Sequence, residues 1–182
     1  MKIIDITIEL NEQTPIYEGD PRFQKKQISF LEENGYALSA ISMGTHTGTH
    51  VDAPSHFLEG GRSLGEISLR RFIGKSIVTD RVTPESVKGY ERVLLRGMKK
   101  KLHAEQAAIL VEAGVRVVGT EKQSIGNDEV HKILLGAGCV VLESLKLDQV
   151  ELKEYFLAAM PLKIDADGSP IRACLIDWEE EK

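Results

Sequence analysis

Three of the chain's five histidines and one carboxylate fall within eleven residues, His46-Thr47-Gly48-Thr49-His50-Val51-Asp52-Ala53-Pro54-Ser55-His56. No other stretch so narrows what the chain can fold into, because these polar groups need partners and a common face. If residues 46 to 52 are extended, His46, His50 and Asp52 point to one side of a strand while Thr45, Thr47, Thr49 and Val51 point to the other. A helix would keep His46 and His50 together at i and i+4 but would turn Asp52 away. The extended conformation therefore collects all three side chains, and the threonines, the valine and the lack of strong helix formers agree with it. Pro54 stops the run, and Gly48, without a side chain, lets a neighbouring backbone or substrate approach closely.

Two imidazoles and a carboxylate on one face suit Zn2+ or Mn2+, because nitrogen and oxygen donors satisfy a borderline cation and leave positions open for water. Three protein ligands with an open position mark a reactive site rather than a structural one. His56, four residues beyond Asp52, is a titrating side chain available to move a proton.

The segment Gly44 to Phe57, GTHTGTHVDAPSHF, resembles the signature of the cyclase-like metal-dependent hydrolase family that contains bacterial kynurenine formamidase and isatin hydrolase. The likeness continues in order through PIYEGDP at 15–21, VLLR at 93–96, VVGTE at 117–121, His131 with Glu143, and DGSPIRA at 167–173. It implies an α/β fold with a mixed, partly barrel-like β core flanked by helices. It also implies a second divalent ion, with His131 and Glu143 as its remaining ligands and Asp52 bridging. The implied ligand set is then His46, His50, Asp52, His131 and Glu143, holding two Zn2+ or Mn2+ per chain, with His56 as the catalytic acid/base. Family members pair, so a homodimer or a higher homo-oligomer is expected.

The activity the resemblance implies is hydrolysis of a carbon–nitrogen amide bond, in an aryl formamide such as N-formylkynurenine or in a cyclic amide. A flat substrate wants stacking and apolar contact, yet the whole chain has one tryptophan, four tyrosines and five phenylalanines. The formamidases commonly show tryptophan near Tyr17, and often aspartate where this chain has Glu121. Tyr17 and Glu121 are the candidate substrate-binding residues, with strand capping the alternative role for Glu121. Two other functions are open: a metal-binding protein without turnover, and a metal-dependent cyclase or dehydratase.

At 182 residues the chain can bury one sizeable core, and residues 1–182 are expected to form a single domain. The 23 basic residues are outnumbered by 28 acidic ones and are scattered apart from Lys99-Lys100-Lys101, which argues against a nucleic-acid partner. With no apolar run near 18 residues and no basic segment ahead of an apolar one, neither a membrane span nor a signal peptide is visible. A cytoplasmic location is expected. Cys139 and Cys174 both sit in apolar, strand-like runs and read as two small buried thiols.

Strand-like alternation opens the chain at Ile3 to Leu10 and is expected to open the sheet. Asn11 to Pro21 reads as a loop carrying Tyr17. Arg22 to Leu31 and Tyr36 to Met43 read as strands about a turn at Glu33-Asn34-Gly35, the second feeding the histidine motif. Residues 75–82 and 91–96 are further strands, separated by a polar turn at Thr83-Pro84-Glu85-Ser86. A helical period at Ala104, Ala107, Ala108, Leu110 and Val111 stops at Gly114. The apolar strand Val115 to Gly119 then suggests a parallel crossover. A second helix begins at Asn127-Asp128-Glu129, with His131 one step off its apolar stripe, and the strand Cys139 to Leu142 runs into Glu143. Tyr155 to Ile164 and Pro170 to Trp178 read as a hairpin around Asp167-Gly168, with Trp178 packed at an edge and residues 179–182 a frayed tail.

Overall fold

Residues 1–178 are described by the structure, a computed structural model. In chain order the elements are β1 (Lys2–Asp5), β2 (Gln24–Ser29), α1 (Leu31–Asn34), β3 (Leu38–Ser42), β4 (His50–Asp52), β5 (Ile73–Thr79), α2 (Pro84–Val87) and β6 (Arg92–Leu95). They continue with α3 (Ala104–Glu112), β7 (Val117–Thr120), α4 (Asp128–Gly136), β8 (Val140–Glu143), β9 (Glu154–Ala158), β10 (Gly168–Pro170) and β11 (Cys174–Asp177).

Nine strands form one curled, half-barrel sheet in the order β1-β11-β9-β5-β6-β7-β8-β4-β10. Its middle, β5 to β8, is parallel, and β6, β7 and β8 are buried at every residue, which is why they read as continuous apolar runs rather than alternations. The expected crossover is present, α3 linking parallel β6 and β7. Helices α3 and α4 cover one face through Ala107, Leu110, Leu134 and Leu135, packed against Val93, Leu95, Val118 and Val141. Burial of each such leucine contributes about 1.5–3 kcal/mol. The opposite face holds Ile6, Val51, Phe72, Leu94, Leu142, Leu157 and Leu175.

Several elements differ from the expected pattern. The opening alternation is right in phase, with Ile3 exposed and Ile6 buried, but only Lys2–Asp5 pairs as a strand. Beyond it the chain changes partners: Lys146 N–H donates to the Ile6 carbonyl and Thr7 bridges Leu145. Strands β2 and β3 pair only with each other, as a separate ribbon. The turn at Thr83 is the short helix α2, its N-terminus capped by the Thr83 hydroxyl accepting from Ser86 N–H. Asp167-Gly168 is not a hairpin turn. β9 and β11 do pair antiparallel, but the residues between them detour across the molecule and lay β10 along β4, Gly168 opposite Asp52. Trp178 is 62% exposed rather than packed, and the expected tail lies outside the described residues. Both cysteines are free thiols; Cys139 is buried, whereas Cys174, at the start of β11, is only partly so. No helix among the described residues is long and apolar enough to cross a membrane.

Candidate active site

Two residues apart on β4, His50 and Asp52 share a face, as the alternation of a strand requires. β4 lies antiparallel to β8 with His50 opposite Glu143, so the acid ending one strand meets the histidine opening the other. Just past Glu143 the chain turns sharply through Ser144 at φ 55°, and the Ser144 carbonyl accepts the Thr49 hydroxyl at 2.6 Å. Helix α4, capped by the Asn127 side chain accepting from Val130 N–H, delivers His131 from the side. Its Nε2 lies 3.2 Å from Glu143 Oε1 and 3.8 Å from Asp52 Oδ2. All four of these residues are at most 4% exposed.

His46 arrives by another route than the one its spacing suggests. Only residues 50–52 of the motif are a strand; residues 45–49 turn, with Gly48 at φ +70°. A Cβ at Gly48 would stand 2.6 Å from Leu10 Cδ2, so the close approach that glycine permits is by the Leu10 side chain. The turn folds His46 back until Nδ1 is 2.9 Å from Asp52 Oδ1, while His50 Nε2 is 3.3 Å from the same oxygen. His56 follows on a 3-10 turn opened by Pro54, and its ring stacks on His46 with centroids 3.9 Å apart.

The imidazoles are held in defined orientations. His50 Nδ1 donates to the Gly48 carbonyl at 2.8 Å, and His131 Nδ1 donates to the Asn127 carbonyl at 3.0 Å. Each therefore turns Nε2 toward the carboxylates, the arrangement typical of metal-ligating histidines. Among the described residues two ligand groupings have donor atoms within 4.8 Å of one another: His50 with Asp52 and Glu143, and His46 with Asp52 and His56. Asp52 belongs to both.

Burial opposes charge on every member of this cluster, and the outcome depends on the neighbours. On His46 the desolvation is outweighed by the carboxylates of Asp52 and Asp167, and its pKa rises from 6.5 to about 9. Burial works against the Asp52 charge too, but His46 and His50 hold it well below the usual carboxylate range. Glu143 moves upward, through burial and then the Asp52 charge. His56 moves downward, chiefly through burial.

Stability of the metal-stripped protein should follow these shifts. The raised His46 contributes fully below about pH 6.5, and that contribution fades as pH climbs through about 9. The depressed Asp52 contributes above about pH 3.8 and is lost on acidification. Chelator-treated protein is therefore expected to be most stable near pH 4–6.5 and to lose roughly 2–3 kcal/mol by pH 9. Urea unfolding at pH 6 and pH 9 reads this directly.

A cavity of ≈ 520 Å³ opens over the cluster, with Tyr17, Phe57 and Lys101 among its walls. Tyr17 stands at the mouth, 64% exposed, and Phe57 stacks on His131 at 4.5 Å. Glu121 is not among the lining residues; its carboxylate accepts Gly97 N–H, which leaves it the strand-end role. Asp167 carries no role on sequence grounds but contacts two of the histidines: its Oδ2 is 2.8 Å from His46 Nε2 and 3.3 Å from His56 Nδ1. The available signal is its place in DGSPIRA, whose Asp-Gly pair reads as a turn on local propensity.

Gly168 is needed here for close approach. A Cβ would meet His46 Cε1 at 2.6 Å and the Val51 carbonyl oxygen at 2.8 Å, and that carbonyl belongs to β4, which is paired on both sides. Gly168→Ala is expected to cost about 1–3 kcal/mol and to displace the His46 ring. Thermal unfolding and the metal bound per chain would measure the two effects.

The curled mixed sheet with a buried histidine–carboxylate cluster at the floor of a cavity defines a class of α/β scaffold. The Cyclase family model matches residues 4–101. Among curated relatives, kynurenine formamidase of Bacillus mycoides (strain KBAB4) is 32% identical over 94% of this chain and 96% of its own length. That of Bacillus anthracis is 32% identical over 96% and 97%. Among solved structures, a potential metal-dependent hydrolase with cyclase activity superposes with a TM-score of 0.81 at 30% identity, covering 98% of this chain and 99% of that one. Isatin hydrolase A from Labrenzia aggregata, bound to benzyl benzoate, gives 0.82 at 28% identity, covering 96% and 93%. The chain belongs to the Cyclase family.

Proposed function

We propose that this chain is a single-domain, metal-dependent hydrolase that cleaves a carbon–nitrogen amide bond, in an aryl formamide such as N-formylkynurenine or in a cyclic amide. One observation carries the reading: acids and imidazoles from two distant segments, 46–52 and 131–143, converge at the floor of one cavity beside His56. His46, His50, Asp52, His131 and Glu143 would hold the cations, two Zn2+ or Mn2+ per chain. The donor set fits, since the Nε2 atoms of His50 and His131 face carboxylate oxygens and His50, Asp52, His131 and Glu143 are all buried. Bound there, the cations would supply Lewis acidity toward a water and toward the substrate carbonyl.

The rest falls to the chain's own side chains. Cleaving an amide requires a proton on the departing nitrogen, and His56, partly exposed at the cavity wall, is placed to carry it. Tyr17 and Phe57 offer the aromatic surface for a flat substrate, and the cavity volume suits a small one. Relatives that act as kynurenine formamidase and isatin hydrolase favour this bond type.

Six apolar side chains of the β2–β3 ribbon and its α1 turn, Ile28, Phe30, Leu31, Tyr36, Leu38 and Ile41, are 48–66% exposed, which supports the expected homodimer. A second reading, a metal-dependent cyclase, has the description of the family model and that of a solved neighbour in its favour. Metal analysis of protein never exposed to chelator, followed by a panel of formamides, lactams and esters with Zn2+ or Mn2+, separates these readings. Hydrolysis liberates a titratable acid and cyclisation does not. Protein that retains no metal and releases no acid from any amide would overturn the proposal.

A further inference from the structure

Asp167 lies between strands in sequence, yet its position is tightly determined. Its carbonyl accepts Ala53 N–H at 2.8 Å, immediately after β4, and the next residue, Gly168, pairs with Asp52. The side chain thus projects from the strand beside β4 toward the rings of His46 and His56. One carboxylate oxygen, Oδ2, takes both imidazoles, His46 Nε2 at 2.8 Å and His56 Nδ1 at 3.3 Å. The other, Oδ1, is held by the Thr45 hydroxyl at 3.2 Å. The two rings are stacked at 3.9 Å and 28°, so their edges can present N–H groups to a single acceptor.

We propose that Asp167 is a positioning residue that sets opposite tautomers on the two rings. A carboxylate accepts only, so each nitrogen facing it bears the hydrogen. His46 Nδ1 faces the Asp52 carboxylate in the same way and bears hydrogen too; a cation held at Asp52 would displace that proton alone, so that the loaded ring keeps the Nε2 hydrogen fixed by Asp167 and offers Nδ1 as the donor atom. His56 keeps its proton on Nδ1 and leaves Nε2 as the nitrogen free to exchange protons with a substrate. A charged acceptor makes these bonds roughly twice as strong as a neutral amide oxygen would. One side chain therefore couples the orientation of a ligand to that of the acid/base. The catalytic consequence rests on the hydrolase function proposed above; the tautomer assignment does not.

Two readouts test this, both independent of turnover. Ring 15N resonances of the histidines report which nitrogen bears hydrogen, and exposed His103, at the N-terminus of α3, serves as an internal reference. In the full-length protein, His56 should show the Nδ1–H form and zinc-loaded His46 the Nε2–H form. Asp167→Asn should move both toward mixtures, leave His103 alone and weaken zinc binding by roughly 10–100-fold in calorimetric titration. Asp167→Glu should restore part of both. Thr45→Val, which keeps the carboxylate but frees Oδ1, should show a smaller shift in the same direction and serves as the test if Asp167→Asn does not fold. Unchanged His46 and His56 resonances in the variants, or zinc affinity within about twofold of the parent, would overturn the assignment. If the parent protein binds no zinc, the hydrolase reading fails, and the His56 resonances of the metal-free protein still decide the role of Asp167.

Discussion

An Asp52→Asn protein is expected to lose its metal and its hydrolytic activity together. Among the described residues Asp52 is the one acid within 4 Å of three imidazoles, its Oδ1 facing His46 and His50 and its Oδ2 facing His131. Asparagine keeps the shape and removes the charge. If the cations supply several kcal/mol of transition-state stabilisation, kcat/KM should fall by ~10³-fold or more. The variant should also be less stable in the presence of chelator at pH 6, because His46 and His50 lose the carboxylate that offsets their burial. Loss of one member of a buried ion pair typically costs about 3–5 kcal/mol, and we place this case near 3 because the imidazoles can shed their protons. Metal analysis, steady-state kinetics and urea unfolding check the three effects. Full metal content with activity abolished would remove Asp52 from the ligand set.

His56→Ala should separate what Asp52→Asn joins. His56 stands at the cavity wall with its side chain 30% exposed, so truncation opens no hole in the core. Metal content and melting temperature should stay at parental values while kcat falls by roughly 10²–10⁴-fold, the usual contribution of a general acid/base. Its grouping with His46 and Asp52 makes a ligand role the specific rival. Loss of metal in His56→Ala would establish that rival and reassign the proton transfer to another group.

Much of this arrangement is legible in the chain itself. The strand and helix periods of residues 91–143 predict β6, α3, β7, α4 and β8 in order, because each buries one continuous apolar stripe or run. The clustering of His46, His50, Asp52 and His56 is visible for a similar reason, since four such groups in eleven residues have no use on a solvated loop. The conformation of that motif is less legible. Strand alternation predicts the right neighbours for Asp52, but His46 reaches it through a turn at Gly48, whose positive φ and close contact with Leu10 both favour glycine.

Local pattern marked the histidine motif of residues 46–56; His131, one step off a helical stripe, and Glu143, an acid at a strand end, are singled out only by the resemblance to the family. Only the tertiary structure decided that Asp167 joins them, that Gly168 cannot carry a side chain and that Glu121 stands outside the cavity. The physical reason is sequence distance. The contact of Asp167 with His46 spans 121 residues and depends on β10 crossing the molecule to pair with β4. A short polar segment with Asp-Gly in it carries no periodicity to announce that pairing, and from local propensity alone it is a turn.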